Sequence, residues 1–363
     1  MNVCLYQIPL AEVLVDAEHG EHTHWELVTV TLVDEDGQDG TGYTYTGGKG
    51  GKAIWSLIDS DLRNIVIGSE VGRIANTVEK LEKHVHYVGR GGIVSFALSA
   101  IDIALWDLWL KKSKQSLWRA VGGFSSHCRC YRGGIDLGYS MDKLRSSVMD
   151  YIKEGHTAVK IKVGLPSLKD DIERVGSIRS ILGPDKKLMV DANMCWTVSQ
   201  ALAACKALQQ WDIFWLEEPT APGDYAGYRR IQGEGGIPLA QGENLHTLEE
   251  FHHALASGGV DYPQPDASNC GGISGWLKVA TLAEAHGLEV NSHGMQELHV
   301  SLVAGVRNGG WVEIHSFPID KYTKKEVVVS DGMCQAPDVP GIGVEFDWRT
   351  LEQYLKKGQM VIF

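Results

Sequence analysis

The sequence predicts an α/β protein whose larger part is a (β/α)8 barrel of the TIM type, accompanied by an α+β capping domain. From residue 126 onward, short apolar runs typical of strands alternate with amphipathic helical patterns at intervals of about 25 residues. The competing fold is a doubly wound open sheet, which would carry a GxGxxG turn after its first strand. The first predicted strand of this chain is not followed by such a turn, so the barrel is favoured.

Each region of the chain supports one part of this prediction. Alternating apolar residues within 1–50, interrupted by an Asp/Gly-rich turn at 34–40, predict antiparallel strands. A broad apolar face over Ile93–Lys112 predicts a long helix. We assign residues 1–125 to the cap, 126–316 to the barrel, and 317–363 to a segment that returns to the cap. The predicted barrel strands are 128–135, 158–163, 187–193, 213–219, 238–244, 262–268, 288–294 and 311–316, with helices between them such as 197–210 and 272–286.

Composition and charge exclude several classes of function. A net charge of −12 without a long Lys/Arg run argues against a nucleic-acid partner. An uninterrupted apolar stretch of about 18 residues is absent from the sequence, which argues against a membrane span. The start of the chain lacks the features of a signal peptide, and seven scattered cysteines are expected to be reduced thiols. We therefore expect a cytoplasmic protein.

Ionisable side chains stand at the ends of seven consecutive predicted strands. In a barrel these ends meet at one rim, where the active site forms. A solvated rim would explain any single one of them, but it is a poor explanation for seven in register. The strand-end residues are Lys160, Lys162, Asp191, Asn193, Glu217, Glu218, Glu243, Asn244, Asp266, His293 and Glu313.

Three of these carboxylates predict a metal site. Asp191, Glu217 and Glu243 come from adjacent strands and would repel one another strongly unless a cation lay between them. Oxygen ligands with room left for water and substrate suit Mg²⁺. The sequence therefore predicts a magnesium site at the rim of the barrel.

Two candidate bases flank that site. Lys160 and Lys162 share one face of their strand because side chains alternate with a period of two. His293 lies on the other side, and Asp266, one strand earlier, is placed to orient it. The predicted arrangement is thus two bases that face each other across a metal ion.

Six short motifs resemble the strand ends of the mandelate racemase subgroup of the enolase superfamily. They are KIK at 160–162, VDAN at 190–193, WLEEP at 215–219, GEN at 242–244, QPD at 264–266 and NSH at 291–293. In the cap, VDAEHG, GYTYTGGKGG and SAIDIALWDLWLK are similar to segments of the acid-sugar dehydratases in that subgroup, especially talarate/galactarate dehydratases.

The resemblance implies the same three metal ligands and the same two bases. It further implies that Lys160 contacts the substrate carboxylate and depresses the proton affinity of Lys162. Glu313 is expected to donate a hydrogen bond to the second carboxylate oxygen as that oxygen gains charge. Homo-oligomers are common in the subgroup, so we expect one here.

The implied reaction removes the proton alpha to the carboxylate of a small molecule and forms an enediolate. We expect dehydration of an acid sugar, an aldarate or an aldonate, to a 2-keto-3-deoxy acid. The alternative is a racemase or epimerase of an α-hydroxy acid, in which the opposite acid returns a proton to the α-carbon. An inactive barrel with a binding role is a remote third possibility, against which the complete set of ligands and bases argues.

The cap and the third strand supply the expected substrate contacts. A predicted loop containing His19 and Trp25 is expected to close over the barrel mouth, with an unspecialised surface loop or a zinc site of its histidines as alternatives. Tyr45 is expected to bind hydroxyl groups, and Asn193 to contact the substrate from its strand end. Lys49 lies in a Gly-rich stretch without P-loop spacing, and is either a lid cation or a solvated lysine.

Overall fold

The computed structural model describes residues 1–359, so the end of the predicted tail, residues 360–363, lies outside the described part of the chain. The strands, in chain order, are β1 (Asn2–Asp16), β2 (Gly20–Val33), β3 (Asp39–Thr46), β4 (His127–Gly133), β5 (Ala158–Lys162), β6 (Lys187–Asp191), β7 (Ile213–Glu217), β8 (Leu239–Gln241), β9 (Tyr262–Pro263), β10 (Trp311–Ile314), β11 (Val329–Ser330), β12 (Met333–Gln335) and β13 (Leu355–Lys357).

The helices alternate with the strands from β4 onward, as the sequence predicts. In chain order they are α1 (Gly51–Ser56), α2 (Arg63–Val66), α3 (Ile74–Val85), α4 (Ile93–Ser113), α5 (Leu117–Ala120), α6 (Met141–Lys153), α7 (Leu168–Leu182), α8 (Val198–Leu208), α9 (Tyr225–Gly235), α10 (Leu248–Ala256), α11 (Gly272–Ala285), α12 (Gln296–Gly305) and α13 (Trp348–Glu352). A π-helical segment, Leu57–Leu62, joins α1 to α2.

The cap is an antiparallel sheet with the strand order β13-β1-β2-β3, covered by α4. Helix α4 approaches β3 so closely that a Cβ atom on Gly42 would lie 2.2 Å from the backbone nitrogen of Ala104. Among residues 1–359, α4 alone has the length and composition of a membrane-crossing helix, and 78% of its most apolar window is buried. That burial, together with contacts to β3 and α11, is typical of a core helix.

The barrel follows the predicted order. Strands β4 to β9 lie side by side in sequence, and β10 pairs in parallel with β4 to close the ring. The predicted seventh strand is extended backbone whose regular pairing is limited to one bridge, at Val290. It still fills its place, because the Asn291 N–H donates to the carbonyl of Pro263 (2.8 Å) and the Ser292 N–H to that of Trp311 (3.0 Å).

An aromatic floor fills the barrel below the rim. Tyr131, Trp215 and Trp311 are buried there, and the rings of Tyr131 and Trp215 meet edge to face with centroids 5.2 Å apart. The Trp215 indole N–H donates to Oε2 of Glu217 at 3.1 Å. Both tryptophans therefore act in packing, and Trp215 also supports a rim carboxylate from below.

The C-terminal tail joins both parts of the molecule. Strand β12 runs antiparallel to β4 and extends the barrel sheet, with β11 beside it. Strand β13 then pairs with β1 at the edge of the cap sheet. The predicted return to the cap is present, but the tail first adds a two-stranded hairpin to the outside of the barrel.

Candidate active site

The three predicted metal ligands meet at the rim of the barrel. Asp191 and Glu217 are the last residues of β6 and β7 and are paired in register, and Glu243 follows β8 by two residues. Each offers an oxygen within 4.8 Å of the others. Asp191 and Glu217 are essentially buried, at 0% and 1% exposure.

This donor set fits a hard divalent cation. Its ligand atoms are all carboxylate oxygens, which Mg²⁺ prefers. The three carboxylates converge inside the barrel, where Oε2 of Glu243 has one close partner, Nε2 of His293 at 3.0 Å. A buried anion of this kind is costly unless a cation compensates it. We conclude that the three carboxylates are suited to hold Mg²⁺.

Lys160 and Lys162 both point into the carboxylate cluster. Nζ of Lys160 lies 2.5 Å from Oε1 of Glu217, 2.9 Å from Oε1 of Glu313 and 3.3 Å from Oδ2 of Asp191. Nζ of Lys162 lies 2.5 Å from Oδ2 of Asp191. The two lysines thus partly neutralise the carboxylates by themselves.

The electrostatics of Lys162 differ from the sequence prediction of a depressed pKa. Burial does act to lower the pKa of Lys162, and so does the neighbouring Lys160 ammonium. The carboxylates of Asp191, Glu243 and Glu217 together outweigh both, so the net shift of the pKa is upward and the lysine is held as an ammonium. The prediction considered the like charge of Lys160 and left out the direct contact with a carboxylate.

The His293–Asp266 pair stands on the other side of the cluster. Nδ1 of His293 lies 2.9 Å from Oδ2 of Asp266, and Nε2 lies 3.0 Å from Oε2 of Glu243. Burial disfavours the charged imidazolium, but Glu243 and Asp266 overcome it and raise the pKa of His293. Lys162 and His293 therefore each contact a different carboxylate of the same cluster, as two bases on opposite sides require.

Glu313 lies where it was predicted but accepts hydrogen bonds instead of donating one. Its Oε1 contacts the Lys160 ammonium, and its Oε2 accepts the Gly294 N–H at 3.0 Å. Burial alone would raise the pKa of Glu313, yet the charge of Lys160 lowers it, so the carboxylate is ionised. The expected donor role would require a proton that this arrangement disfavours.

A cavity of about 460 Å³ opens above the rim, between the barrel and the cap. Of the predicted substrate contacts, Asn193, His19, Tyr45 and Lys49 line it, together with both bases. Tyr45 is buried and donates a hydrogen bond to Asp266 of the His293–Asp266 pair, whereas Lys49 is exposed.

The prediction that Trp25 contacts the substrate is wrong. The predicted loop is the tip of a long β1–β2 hairpin, and His22 and Trp25 lie on β2, where an odd spacing places side chains on opposite faces. His22 faces the cavity, while Trp25 is fully buried against Tyr322, with ring centroids 5.8 Å apart. Trp25 is therefore a packing residue of the cap and does not line the cavity.

Several residues of the site escaped the sequence analysis. Gln264 donates to Oε2 of Glu217 at 2.9 Å, and His315 lines the cavity with its ring centroid 5.1 Å from that of His293. Burial lowers the pKa of His315 to about 3. His315 follows Glu313 by two residues, so strand periodicity could have placed it on the same face.

A barrel whose rim holds three carboxylates suited to Mg²⁺, between a lysine and a histidine, is the arrangement of a class of magnesium-dependent enzymes that use Lys or His bases. Comparison with known proteins supports the same class of enzyme. Residues 143–350 match the enolase C-terminal domain-like family, and residues 14–122 match the N-terminal domain of the mandelate racemase / muconate lactonizing enzyme family. The chain belongs to this family of the enolase superfamily.

Two curated relatives have different activities. A 3,6-anhydro-alpha-L-galactonate cycloisomerase from Streptomyces coelicolor is 43% identical over 347 residues, covering 96% of each chain. An L-talarate/galactarate dehydratase from Salmonella typhimurium is 30% identical over 350 residues, covering 94% of this chain and 87% of its own. Within its family, the chain therefore groups with the magnesium-dependent acid-sugar dehydratases and cycloisomerases.

Solved structures confirm the fold and the cofactor. A racemase from Streptomyces coelicolor A3(2) with bound magnesium superposes with a TM-score of 0.95, at 42% identity and 98% coverage of both chains. An L-talarate dehydratase from Polaromonas sp. JS666 in complex with Mg and L-glucarate gives 0.93, at 30% identity, covering 99% of this chain and 97% of its own. The predicted barrel and the predicted Mg²⁺ are both confirmed.

Proposed function

We propose that the protein eliminates an oxygen from C3 of a polyhydroxylated carboxylate after removing the proton from C2, which yields a 2-keto-3-deoxy acid. The observation that carries this proposal is the placement of Lys162 and the His293–Asp266 pair on opposite sides of the carboxylate cluster, in one cavity. A base on one face and an acid on the other are what an anti elimination across a C2–C3 bond requires.

The residues divide the proton transfers between them. Lys162 takes the C2 proton after its ammonium has released a proton to solvent water and has lost its contact with Asp191. Mg²⁺, when bound, neutralises the carboxylates and stabilises the second negative charge of the enediolate. Lys160, which does not line the cavity, acts on the substrate carboxylate through the positive charge that it holds beside Asp191, Glu217 and Glu313. His293, held by Asp266, gives its proton to the oxygen that leaves C3.

The leaving oxygen distinguishes two forms of this reaction. In a dehydration the C3 oxygen is a hydroxyl group and departs as water. In a ring opening it is an ether oxygen, which keeps its bond to the far carbon and becomes a hydroxyl group. In both, the C2–H and C3–O bonds break, the C2–C3 double bond of an enol forms, and the enol becomes a ketone. The 43% identity with a cycloisomerase favours ring opening as the second candidate beside dehydration.

The charges around the cavity favour a substrate with one carboxylate. Among the described residues no arginine lines the cavity, and its one lysine besides Lys162 is the exposed Lys49. The cavity wall formed by the cap contains Asp16 and His22, with Oδ2 of Asp16 2.9 Å from Nε2 of His22. The apolar side chains of Ile54 and Phe96 line the cavity beside this pair. A second carboxylate placed there would meet Asp16 and no buried cation. We therefore place aldonates and their anhydro forms ahead of aldarates.

The test incubates the Mg²⁺-loaded enzyme with open-chain aldonates, aldarates, 3,6-anhydro-aldonates and simple α-hydroxy acids. Keto-acid formation identifies the substrate, and mass spectrometry distinguishes the mode, because dehydration makes the product lighter by one water while ring opening leaves the mass unchanged. The chelated enzyme is the control. Racemisation of an aromatic or aliphatic α-hydroxy acid, with no keto acid from any acid sugar, would overturn the proposal in favour of a racemase.

A further inference from the structure

Tyr45 connects the cap to the acid–base pair of the barrel. Its hydroxyl group donates to Oδ2 of Asp266 at 2.8 Å. The same oxygen lies 2.9 Å from Nδ1 of His293, and the Tyr45 oxygen is itself 3.4 Å from that nitrogen. The other oxygen of Asp266, Oδ1, accepts the Ser268 N–H at 2.7 Å. Within residues 1–359, the Asp266 carboxylate thus has three hydrogen-bond partners: the Tyr45 hydroxyl group, Nδ1 of His293 and the Ser268 N–H.

Residues of both the cap and the barrel fix the position of Tyr45. Strand β3 of the cap carries it, its side chain is 6% exposed, and its ring packs edge to face on Phe317. On the barrel side, a Cβ atom at position 294 would lie 2.1 Å from the Tyr45 oxygen. Gly294 follows His293 directly and has a φ of +56°, a conformation that favours glycine. The loop that carries His293 therefore leaves room for the tyrosine hydroxyl.

This geometry gives Tyr45 a role other than the substrate contact predicted from the sequence. A phenol has one proton to donate, and here the proton is used on Asp266. We propose that Tyr45 is a positioning residue, which fixes the Asp266 oxygen that orients His293. This inference rests on the proposed function insofar as His293 acts as one of the two acid–base groups.

The proposal predicts that loss of the hydroxyl group affects one face of the substrate. In Mg²⁺-loaded Tyr45→Phe, α-hydrogen exchange in D₂O should fall roughly tenfold to a hundredfold for the C2 epimer that presents its hydrogen to His293, which is the usual cost of losing one hydrogen bond to a charged group. Exchange of the epimer that faces Lys162 should stay within about twofold. The loss should appear in kcat, with KM little changed, since the hydroxyl does not bind substrate.

Tyr43→Phe is the matched control. Tyr43 lies on the same face of β3, is fully buried, and donates its hydroxyl proton to Glu297 of α12 and not to Asp266. Its substitution removes an equivalent buried hydroxyl group at the same interface between cap and barrel. It should leave the ratio of exchange at the two faces unchanged, even if it lowers stability.

A second measurement does not need a substrate. In ¹⁵N-histidine NMR of the Mg²⁺-loaded protein, the Nδ1 resonance of His293, assigned by its loss in His293→Asn, should shift in Tyr45→Phe and remain in place in Tyr43→Phe. Equal loss of exchange at both faces, or an unchanged Nδ1 resonance, would overturn the positioning role. If the wild type exchanges no α-hydrogen of any acid, the proposed function fails, while the resonance still decides whether Tyr45 positions His293.

Discussion

Replacing Lys160 by methionine would remove one positive charge from the centre of the active site while keeping a side chain of similar length. Lys160 is 1% exposed and lies within 3.3 Å of Asp191, Glu217 and Glu313. Nothing else in the described residues contacts all three of these carboxylates. The variant therefore leaves three buried anions with one cation fewer.

The magnitude follows from these distances. At an effective dielectric constant of about 20, each contact provides about 5–7 kcal/mol of gross Coulomb attraction. Most of this attraction offsets the cost of removing the charges from water, and breaking a buried pair costs about 3–5 kcal/mol in measured cases. We expect Lys160→Met to lose that amount of unfolding free energy in the presence of chelator. With saturating Mg²⁺ the loss should shrink, because the metal supplies the missing positive charge.

Urea unfolding with chelator and with Mg²⁺, together with calorimetric titration of Mg²⁺, measures both effects. The lysine and the metal compete for the same oxygens, so the variant should bind Mg²⁺ at least as tightly as the wild type, although turnover is lost. Lys143→Met is the control: it removes an exposed contact with Glu12 and should cost at most about 1 kcal/mol, independently of Mg²⁺. A loss below about 1 kcal/mol for Lys160→Met in chelator, or weaker Mg²⁺ binding, would refute this reasoning.

Three further predictions address the metal, the bases and pH. Mg²⁺ at about 100 times its dissociation constant should stabilise the wild type by about 2.7 kcal/mol, and Glu217→Gln should lose most of this gain in a thermal-shift assay; an unchanged shift would remove Glu217 from the metal site. Lys162→Ala should abolish α-hydrogen exchange at one face of the substrate and His293→Asn at the other, and full exchange at both faces in either variant would show that the bases are wrongly assigned. Burial, aided by Arg132, lowers the pKa of His156 from 6.5 to about 4, so the unfolded chain binds the proton more readily. The free energy of unfolding is therefore unaffected by His156 above about pH 6.5 and decreases as the pH falls from 6.5 toward 4, because the unfolded chain takes up the proton first. A pH series of urea midpoints should be flatter in His156→Gln than in the wild type.

The barrel and its site could be predicted from sequence because local pattern determines them. A strand fixes which of its residues face inward, and the parallel order brings the strand ends to one rim, so that Lys162, Asp191 and Glu217 fall in register. What the pattern could not provide was the contact between charges from different strands. The like charge of Lys160 next to Lys162 is visible in the sequence, but the distance from Lys162 to Asp191 depends on the closed barrel.

The cap was harder to predict because its function depends on long-range packing. The segment that contains His19 and Trp25 was predicted to be a loop, yet only the residues between Asp16 and Gly20 form the tip of a hairpin, and Trp25 lies in the core. Tyr45 was placed near the substrate by resemblance, but its partner, Asp266, is 221 residues away in the chain. No local signal in the sequence reports such a contact.

The pairing of β13 with β1 has a consequence for the order of events during folding. The two strands, Asn2–Asp16 and Leu355–Lys357, are separated in the chain by the entire barrel. Contacts between residues so far apart form slowly and leave a strand edge exposed in the meantime. A folding chain can therefore form its barrel strands before the free edge of β1 is covered, whereas β3 with Tyr45 lies at the opposite edge of the cap sheet and pairs with β2. Folding intermediates in which β13 has not yet paired with β1 are expected to be the species most dependent on chaperones.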